Sequence, residues 1–181
     1  MKFRTILSLG AAAVLTLSAC SDGATPDAEG VVEDESASLA SMISSNDDLE
    51  TVTETMNDAG LTQIFDGAAF YTLLAPTDDA FEKLGTTAGA TEEDQRTALV
   101  AIMRDHILPG YLTSEDIENA VEQAGGSARI QTMGEDTLTF TMVDGQIQVA
   151  GADGTTAMVL DEEGRAGNGV LLPIDGVLKQ L

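Results

Sequence analysis

The chain has very few of the residues on which most reactive sites depend. Its 181 residues include one cysteine, one histidine and no tryptophan, with 8 lysines and arginines against 31 aspartates and glutamates. A single imidazole cannot build a zinc site from several histidines, and a formal net charge of −23 opposes binding to nucleic acid. The sequence therefore predicts no metal centre, no cofactor and no nucleic-acid partner.

The single cysteine, Cys20, follows a short apolar segment at the start of the chain. Lys2 and Arg4 are basic, and residues 6–17 are almost entirely apolar. This order is typical of a secretory signal peptide, which we predict at residues 1–19. A permanent membrane span is not expected, because the apolar run falls short of the roughly 20 residues that cross a bilayer.

The four residues Leu17, Ser18, Ala19 and Cys20 resemble the lipobox of bacterial lipoproteins. The resemblance implies that the Cys20 thiol receives a diacylglycerol and becomes an acylated N-terminus. Two or more acyl chains would anchor the protein stably, since each buried methylene adds about 0.8 kcal/mol. The alternative is an ordinary signal peptide that leaves a free thiol. Ser21 resembles the residue found in lipoproteins sorted to an outer membrane, so we expect a cell-envelope location, facing either the periplasm or the outside.

Residues 20–38 are small and acidic, with little apolar character beyond Val31 and Val32. Such a composition buries too little surface to fold. We therefore predict a flexible linker over 20–38 and a single folded domain over 39–181, a length typical of one domain.

The first two thirds of this domain show helical periodicity. Leu49, Val52, Met56 and Ala59 recur at helical spacing before Gly60. The other predicted elements of this region are a turn of helix over 61–65, a strand at Phe70–Ala75, and helices over 77–84, after a Thr91 cap and over 113–124, the last with a Thr113 capping box.

The last third of the chain changes to a period of two. Apolar residues alternate with threonines over 137–142, Asp144 and Gly145 predict a two-residue hairpin turn, and alternation resumes over 146–149. Two further strands and the loop between them are predicted at Thr156–Leu160, Val170–Ile174 and 161–169. Helices followed by strands indicate an α+β domain and not a parallel α/β sheet.

Three segments in order along the domain resemble a fasciclin domain. They are Tyr71–Phe81, with its Ala-Pro-Thr turn, His106–Ile117, with its Pro-Gly pair, and Asn168–Leu178. The resemblance implies an α+β, wedge-shaped β-sandwich flanked by several short helices, as in secreted or surface-attached adhesion and matrix proteins. The motif positions that match, for which we expect structural roles, are Thr77, Phe81, His106, Pro109, Gly110, Asn168, Gly169 and Asp175.

His106 shares a helical stripe with Leu99, Ile102 and Met103. We expect a packed histidine whose ring nitrogen is hydrogen-bonded to Asp105 or to a backbone carbonyl. A pH switch or a ligand contact is the alternative. As the only imidazole, it is also the only histidine that could serve a nucleophilic serine, and the sequence has no Gly-X-Ser-X-Gly pattern.

These features predict a non-enzymatic domain that is held at the membrane through Cys20 and binds an extracytoplasmic protein or polysaccharide. Asp105 and Leu172 stand where the family commonly has a tyrosine and often a histidine, so integrin-type recognition is not expected. The alternative function is a periplasmic carrier or sensor of a small apolar ligand, and calcium in the acidic segment 161–163 is a further possibility. The side chains that would line the carrier's pocket are Met103, Met142 and Met158. The sequence specifies neither the partner nor the oligomeric state.

Overall fold

Two β-sheets and six helices make up the part of the chain that a computed structural model describes, which comprises residues 31–34, 36–84, 92–134 and 136–179. The predicted signal peptide, Cys20 and the Thr91 cap lie outside these residues. Within them, no helix is both long enough and apolar enough to cross a membrane.

The helices lie mostly where the apolar spacing predicts them. They are α1 (Leu39–Ser44), α2 (Glu50–Asp58), α3 (Thr62–Phe65), α4 (Asp78–Leu84), α5 (Glu92–Asp105) and α6 (Ser114–Gln123), with a 3-10 turn at Asp47–Leu49 before α2. Asn46 caps the 3-10 turn, and the predicted capping box of Thr113 and Asp116 is present at the start of α6. Gly60 follows α2 with a positive φ of 65°, which glycine adopts at little cost.

The strands form one five-stranded sheet and one four-stranded sheet. They are β1 (Val31–Asp34), β2 (Tyr71–Pro76), β3 (Ile107–Pro109), β4 (Ser127–Gln131), β5 (Thr137–Val143), β6 (Gln146–Ala150), β7 (Thr156–Met158), β8 (Glu163–Ala166) and β9 (Gly169–Ile174). The first sheet has the order β1-β8-β9-β2-β3, and the second has the order β4-β5-β6-β7. In the first sheet β1 pairs with β8 and β2 with β9 in parallel, and the other pairs are antiparallel. The α+β class is confirmed.

The predicted hairpin joins β5 to β6. Asp144 and Gly145 have φ values of 52° and 88°, as a type I′ turn requires. Phe140 pairs with Val149 in the resulting register, and both side chains are fully buried. The alternation along each strand therefore places one face of the second sheet in the core.

The central strands of the first sheet are buried on both faces. Between the two sheets lies one core, with Leu74, Phe140 and Leu172 among its fully buried members. The other face packs against α1, α2, α3 and α5 in a second core that contains Leu39 and Phe65. The central strands are consequently apolar on both sides, as in Leu73 and Leu74 of β2.

The structure corrects the predicted flexible linker over 20–38. Residues 31–34 form β1, in which Val31 pairs with Glu163 and Asp34 with Ala166. Main-chain pairing does not require an apolar composition, and an ion pair of 3.1 Å joins Glu33 to Arg165 on the neighbouring strand. The rest of the predicted linker before β1 lies outside the described residues.

The predicted loop over 161–169 is also wrong in part, because residues 163–166 form β8. Gly164, Arg165 and Ala166 have little intrinsic strand preference. Gly164 nonetheless suits the packing there, since a side chain at this position would displace the Met42 side chain of α1. Two more strands, β3 and β4, had no predicted counterpart.

Candidate functional site

His106 lies buried between the end of α5 and the C-terminal segment. Its Nδ1 donates a hydrogen bond to the Ile102 carbonyl at 2.8 Å, and the Leu178 backbone N–H donates to its Nε2 at 3.1 Å. Because Leu178 supplies a donor, Nε2 accepts, which fixes the neutral tautomer with the proton on Nδ1. Of the two partners considered from the sequence, the ring therefore binds the backbone carbonyl and not Asp105.

Burial lowers the pKa of His106 to about 4, although the Ile102 carbonyl and the charge of Asp105 act in the opposite direction. The ring is therefore uncharged at neutral pH. Since both nitrogens are engaged and the side chain is fully buried, His106 is not placed to move protons for a substrate.

Lys179 makes ion pairs beside this histidine. Its Nζ lies 2.9 Å from Asp105 and 3.0 Å from Asp136. These carboxylates, hydrogen bonding from Asp105 first, raise the pKa of Lys179 above its ordinary value. We call this cluster the C-terminal clasp; its hydrogen bonds and ion pairs connect residues 178–179 to the end of α5. Its members are Asp105, His106, Asp136, Leu178 and Lys179.

Glu163 of β8 is a second buried charge with a full set of partners. It accepts hydrogen bonds from the Ser114 backbone N–H at 2.8 Å, from the Ser114 hydroxyl and from Arg165. Its carboxylate is thus committed to fixing α6 on the first sheet. It is not free to join Asp161 and Glu162 around calcium, and the described residues hold no cluster of three ligand side chains for a metal ion.

Asn168 and Gly169 connect β8 and β9 to the helical layer. The Asn168 Oδ1 accepts from the Leu39 N–H at 2.7 Å, and its Nδ2 donates to the carbonyls of Phe65 and Gly67. A side chain at Gly169 would collide with the Tyr71 carbonyl and with Leu39. Both motif positions therefore hold α1 and α3 against the sheet.

Three further motif positions make structural contacts at the other end of the first sheet. Thr77 caps α4 by accepting from the Ala80 N–H at 3.3 Å, and Phe81 packs against the second core. Asp175 accepts from the Met158 N–H at 2.7 Å, which connects the end of β9 to β7.

The remaining motif positions, Pro109 and Gly110, end the edge strand β3. Gly110 has a φ of 107° and donates to the Phe70 carbonyl at 2.9 Å. This turn brings Phe70 and Tyr111 together edge to face, with ring centroids 6.2 Å apart. The two rings are 54% and 38% exposed, so they form a small apolar patch on the surface.

The three methionines predicted to line a ligand pocket do not lie together. Met103 is fully buried in the second core, whereas Met142 packs against the core between the sheets. Met158 accepts a hydrogen bond from Gln148 at 3.7 Å through its sulfur. The carrier function therefore loses the pocket on which its prediction depended.

An open groove of about 800 Å³ lies between α1 and β1, on the helical side of the first sheet. A hollow of about 470 Å³ continues from it past α4. We call the larger space the α1–β1 groove; its apolar floor and its carboxylate rim are formed by Val32, Met42, Leu171, Asp34, Asp47, Asp48 and Glu162. The sequence does not predict this groove, because Val32 and Asp34 fall within the predicted linker. The one available signal was the Val31-Val32 pair within an acidic segment.

The rim carboxylates differ from those of the clasp in having few partners. Asp47, Asp48 and Glu162 are exposed and make no hydrogen bond or ion pair through their side chains with the described part of the chain. Asp34 accepts from Ser36, and these hydrogen bonds lower the pKa of Asp34. The rim therefore consists of carboxylates, and the described residues that line the groove include no lysine or arginine.

Comparisons with known proteins agree with this architecture. Residues 47–180 match a family model described as the fasciclin domain. The protein named sll1483 from Synechocystis sp. is 26% identical over 147 residues, which are 80% of this chain and 74% of that protein.

A solved structure shares the fold. It is a FAS1 domain pair from the insect cell adhesion molecule Fasciclin I, with a TM-score of 0.60 and 22% identity over 72% of this chain. The present chain spans only 45% of that structure's length. Because the family model covers well over half of the sequence, this chain belongs to the fasciclin-domain family.

Proposed function

We propose that this fasciclin domain is a binding module of a bacterial cell envelope, anchored through an acylated Cys20, that mediates adhesion to an extracytoplasmic protein or polysaccharide. The observation that carries the proposal is the α1–β1 groove. It combines an apolar floor, in which Val32 is 65% exposed, with carboxylates that have few partners among the described residues, and this composition suits ligand binding. The related Fasciclin I is itself described as a cell adhesion molecule.

Binding is favoured over catalysis by the state of the reactive groups. The one imidazole has both nitrogens hydrogen-bonded inside the clasp. The buried Glu163 carboxylate is likewise occupied by Ser114 and Arg165. What the described surface offers to another molecule is shape, apolar area and charge.

The proposed anchor would hold the groove close to the membrane. Val31, where β1 begins, is eleven residues after Cys20 in the sequence. A chain of that length reaches at most about 40 Å, since each residue spans no more than about 3.6 Å. A partner that meets the groove would then lie at, or just outside, the membrane surface.

Two measurements on the full chain test the proposal. Mass spectrometry of the N-terminal peptide from the native protein is expected to show an acylated Cys20, and Cys20→Ala should release the protein from the membrane fraction. An unmodified thiol on membrane-free protein would overturn the anchor.

The binding function is tested by cross-linking on intact cells. The wild-type chain and the charge-reversed groove variant D47K/D48K are compared with E118K/E122K, which makes the same charge change on the exposed face of α6. We expect the wild type and E118K/E122K to capture the same partner and D47K/D48K to lose it. Equal capture by all three chains would remove the groove from the function.

A further inference from the structure

The groove exists because the first sheet extends beyond its helical cover. Helix α1 lies over β8 and β9, with Met42 against Gly164. One strand further out, no helix of the described residues packs on β1, and Val32 is 65% exposed. An apolar strip is thus left open beside α1, next to the outermost strand of the sheet.

The charges around this strip select the kind of molecule that can enter. Asp47 and Asp48 stand at one end of α1, and Glu162 stands beside the start of β8. Anionic groups such as phosphates and acidic polysaccharides are repelled by this rim. A cation gains from pairing with Asp47, Asp48 and Glu162, whose side chains have no partner among the described residues. The occupant therefore carries positive charge.

Two occupants from the protein itself are disfavoured by their charge. The segment that precedes β1, residues 21–30, contains Asp22, Asp27 and Glu29 and no lysine or arginine. A second copy of the chain brings another net charge of −23. The complementary occupant is accordingly a different molecule.

The apolar floor distinguishes a peptide from a simple cation. Lysine and arginine side chains can lay their methylene stems on Val32 and Met42 while their charged ends reach the rim. The outer edge of β1 is also unpaired within the described residues, so an extended backbone can hydrogen-bond along it. A small inorganic cation or a neutral sugar uses neither feature in full.

We propose that the α1–β1 groove binds an extended, basic segment of a partner protein that brings lysine or arginine, together with an apolar residue, to the same face of the strand. This inference rests on the proposed binding function and names the chemistry of its partner. Residues Val32, Asp34 and Met42 precede the family match at 47–180, so the recognition surface includes residues of this chain that lie outside the matched domain.

The test titrates the purified full chain by isothermal calorimetry with the capped peptide Lys-Ser-Leu-Ser-Lys, whose lysines and leucine share one face when the peptide is extended. Two further probes are the capped peptide Lys-Ser-Ser-Ser-Lys, which keeps the charge without the apolar residue, and spermine. We expect the first peptide to bind most tightly, with D47K/D48K weakening it about tenfold or more and E118K/E122K less than about threefold. Val32→Gln, a change on an exposed edge strand, should also weaken it, and circular dichroism checks that each variant is folded.

Other results would overturn the inference while leaving the proposed function testable. Equal affinity for the leucine and serine peptides would show that the groove attracts charge alone, and equal losses in D47K/D48K and E118K/E122K would assign binding to the overall negative field. Capture of a polysaccharide on intact cells, without peptide binding, would contradict the peptide assignment and support the general binding function. If the wild-type chain captured no partner on intact cells and bound no peptide, the proposed function and this inference would both be contradicted.

Discussion

The C-terminal clasp and the α1–β1 groove both contain several charged side chains, but these side chains differ in whether the protein supplies their partners. In the clasp, Lys179 lies between Asp105 and Asp136, and the two nitrogens of His106 are both hydrogen-bonded. In the groove, carboxylates surround an apolar floor, and the described lining residues include no lysine or arginine. The polar groups of the clasp are therefore paired within the protein, whereas those of the groove can pair with another molecule.

The difference separates the residues that stabilise this fold from those that can recognise a partner. A buried polar group without a partner costs free energy, so the clasp must be satisfied internally. An exposed carboxylate is solvated by water and can exchange that water for a ligand. Clasp variants should therefore lower stability, whereas groove variants should lower binding.

The largest effect is expected for His106→Ala. The change leaves a cavity and removes the partners of the Ile102 carbonyl and the Leu178 N–H, so we expect the free energy of unfolding to fall by about 4 kcal/mol. Urea denaturation measures it, with Glu118→Ala on the exposed surface as a control that should change by less than about 0.5 kcal/mol. A similar small change for both variants would contradict the structural role of the ring.

A slightly smaller effect is expected from acid. The folded-state pKa of His106 is about 4, below the ordinary value of 6.5, so the unfolded chain binds the proton first. Stability is fully present above pH 6.5 and falls as the pH drops towards 4, by about 3 kcal/mol from this group alone. Protonation would also place two donors, Nε2–H and the Leu178 N–H, against each other.

His106→Gln isolates this contribution, because other groups titrate alike in both chains. The carboxyls of Asp34, Asp78 and Asp116 have lowered pKa values, and their contribution is lost mainly below about pH 4. Urea midpoints measured between pH 7 and 4 should fall less steeply for the variant than for the wild type. Parallel curves would mean that His106 does not titrate as the structure requires.

The ion pairs of the clasp contribute less, since Lys179 is 40% exposed and its pairs are screened by water. Lys179→Met should destabilise the fold by about 1 kcal/mol, chiefly because it leaves the buried Asp105 without its cation. Lys83→Met is the matched control, because the partner described for Lys83 is the Asp175 carbonyl at the surface and not a buried carboxylate. A stability loss as large in the control would show that the clasp has no special role.

The smallest effect on stability is expected in the groove. D47K/D48K removes two exposed carboxylates without described side-chain partners, so the free energy of unfolding from thermal denaturation should change by less than about 0.5 kcal/mol in either direction. The same variant should lose the basic peptide. A large loss of stability would place these aspartates among the residues that hold the fold and would end the contrast between the two regions.

The sequence predicts those parts of the fold in which local pattern and tertiary packing agree. The Asp144-Gly145 hairpin and the Thr113 capping box are read correctly because short-range chemistry decides them. Strands β1 and β8 are missed because neighbouring strands, and not their own composition, hold them in the sheet. Gly164 illustrates this, since its place beneath Met42 has no local signature.

The clasp and the groove also differ in how far the sequence predicts them. The sequence places His106 on an apolar stripe and so indicates a packed ring, but it cannot specify Leu178, which lies 72 positions away, as the second partner. The groove depends on β1 lying beside β8, which only the tertiary structure reveals. Surface recognition of this kind has no fixed residue spacing to be found in advance.

The most direct test of the account is a two-dimensional ¹H–¹⁵N NMR titration of the labelled full chain with the Lys-Ser-Leu-Ser-Lys peptide. The account predicts saturable shifts concentrated in β1, α1 and the 3-10 turn at Asp47–Leu49, with the amides of the clasp unmoved. Shifts centred instead on Phe70 and Tyr111, on the clasp, or nowhere at all would contradict the claim that the open groove is where this domain binds its partner.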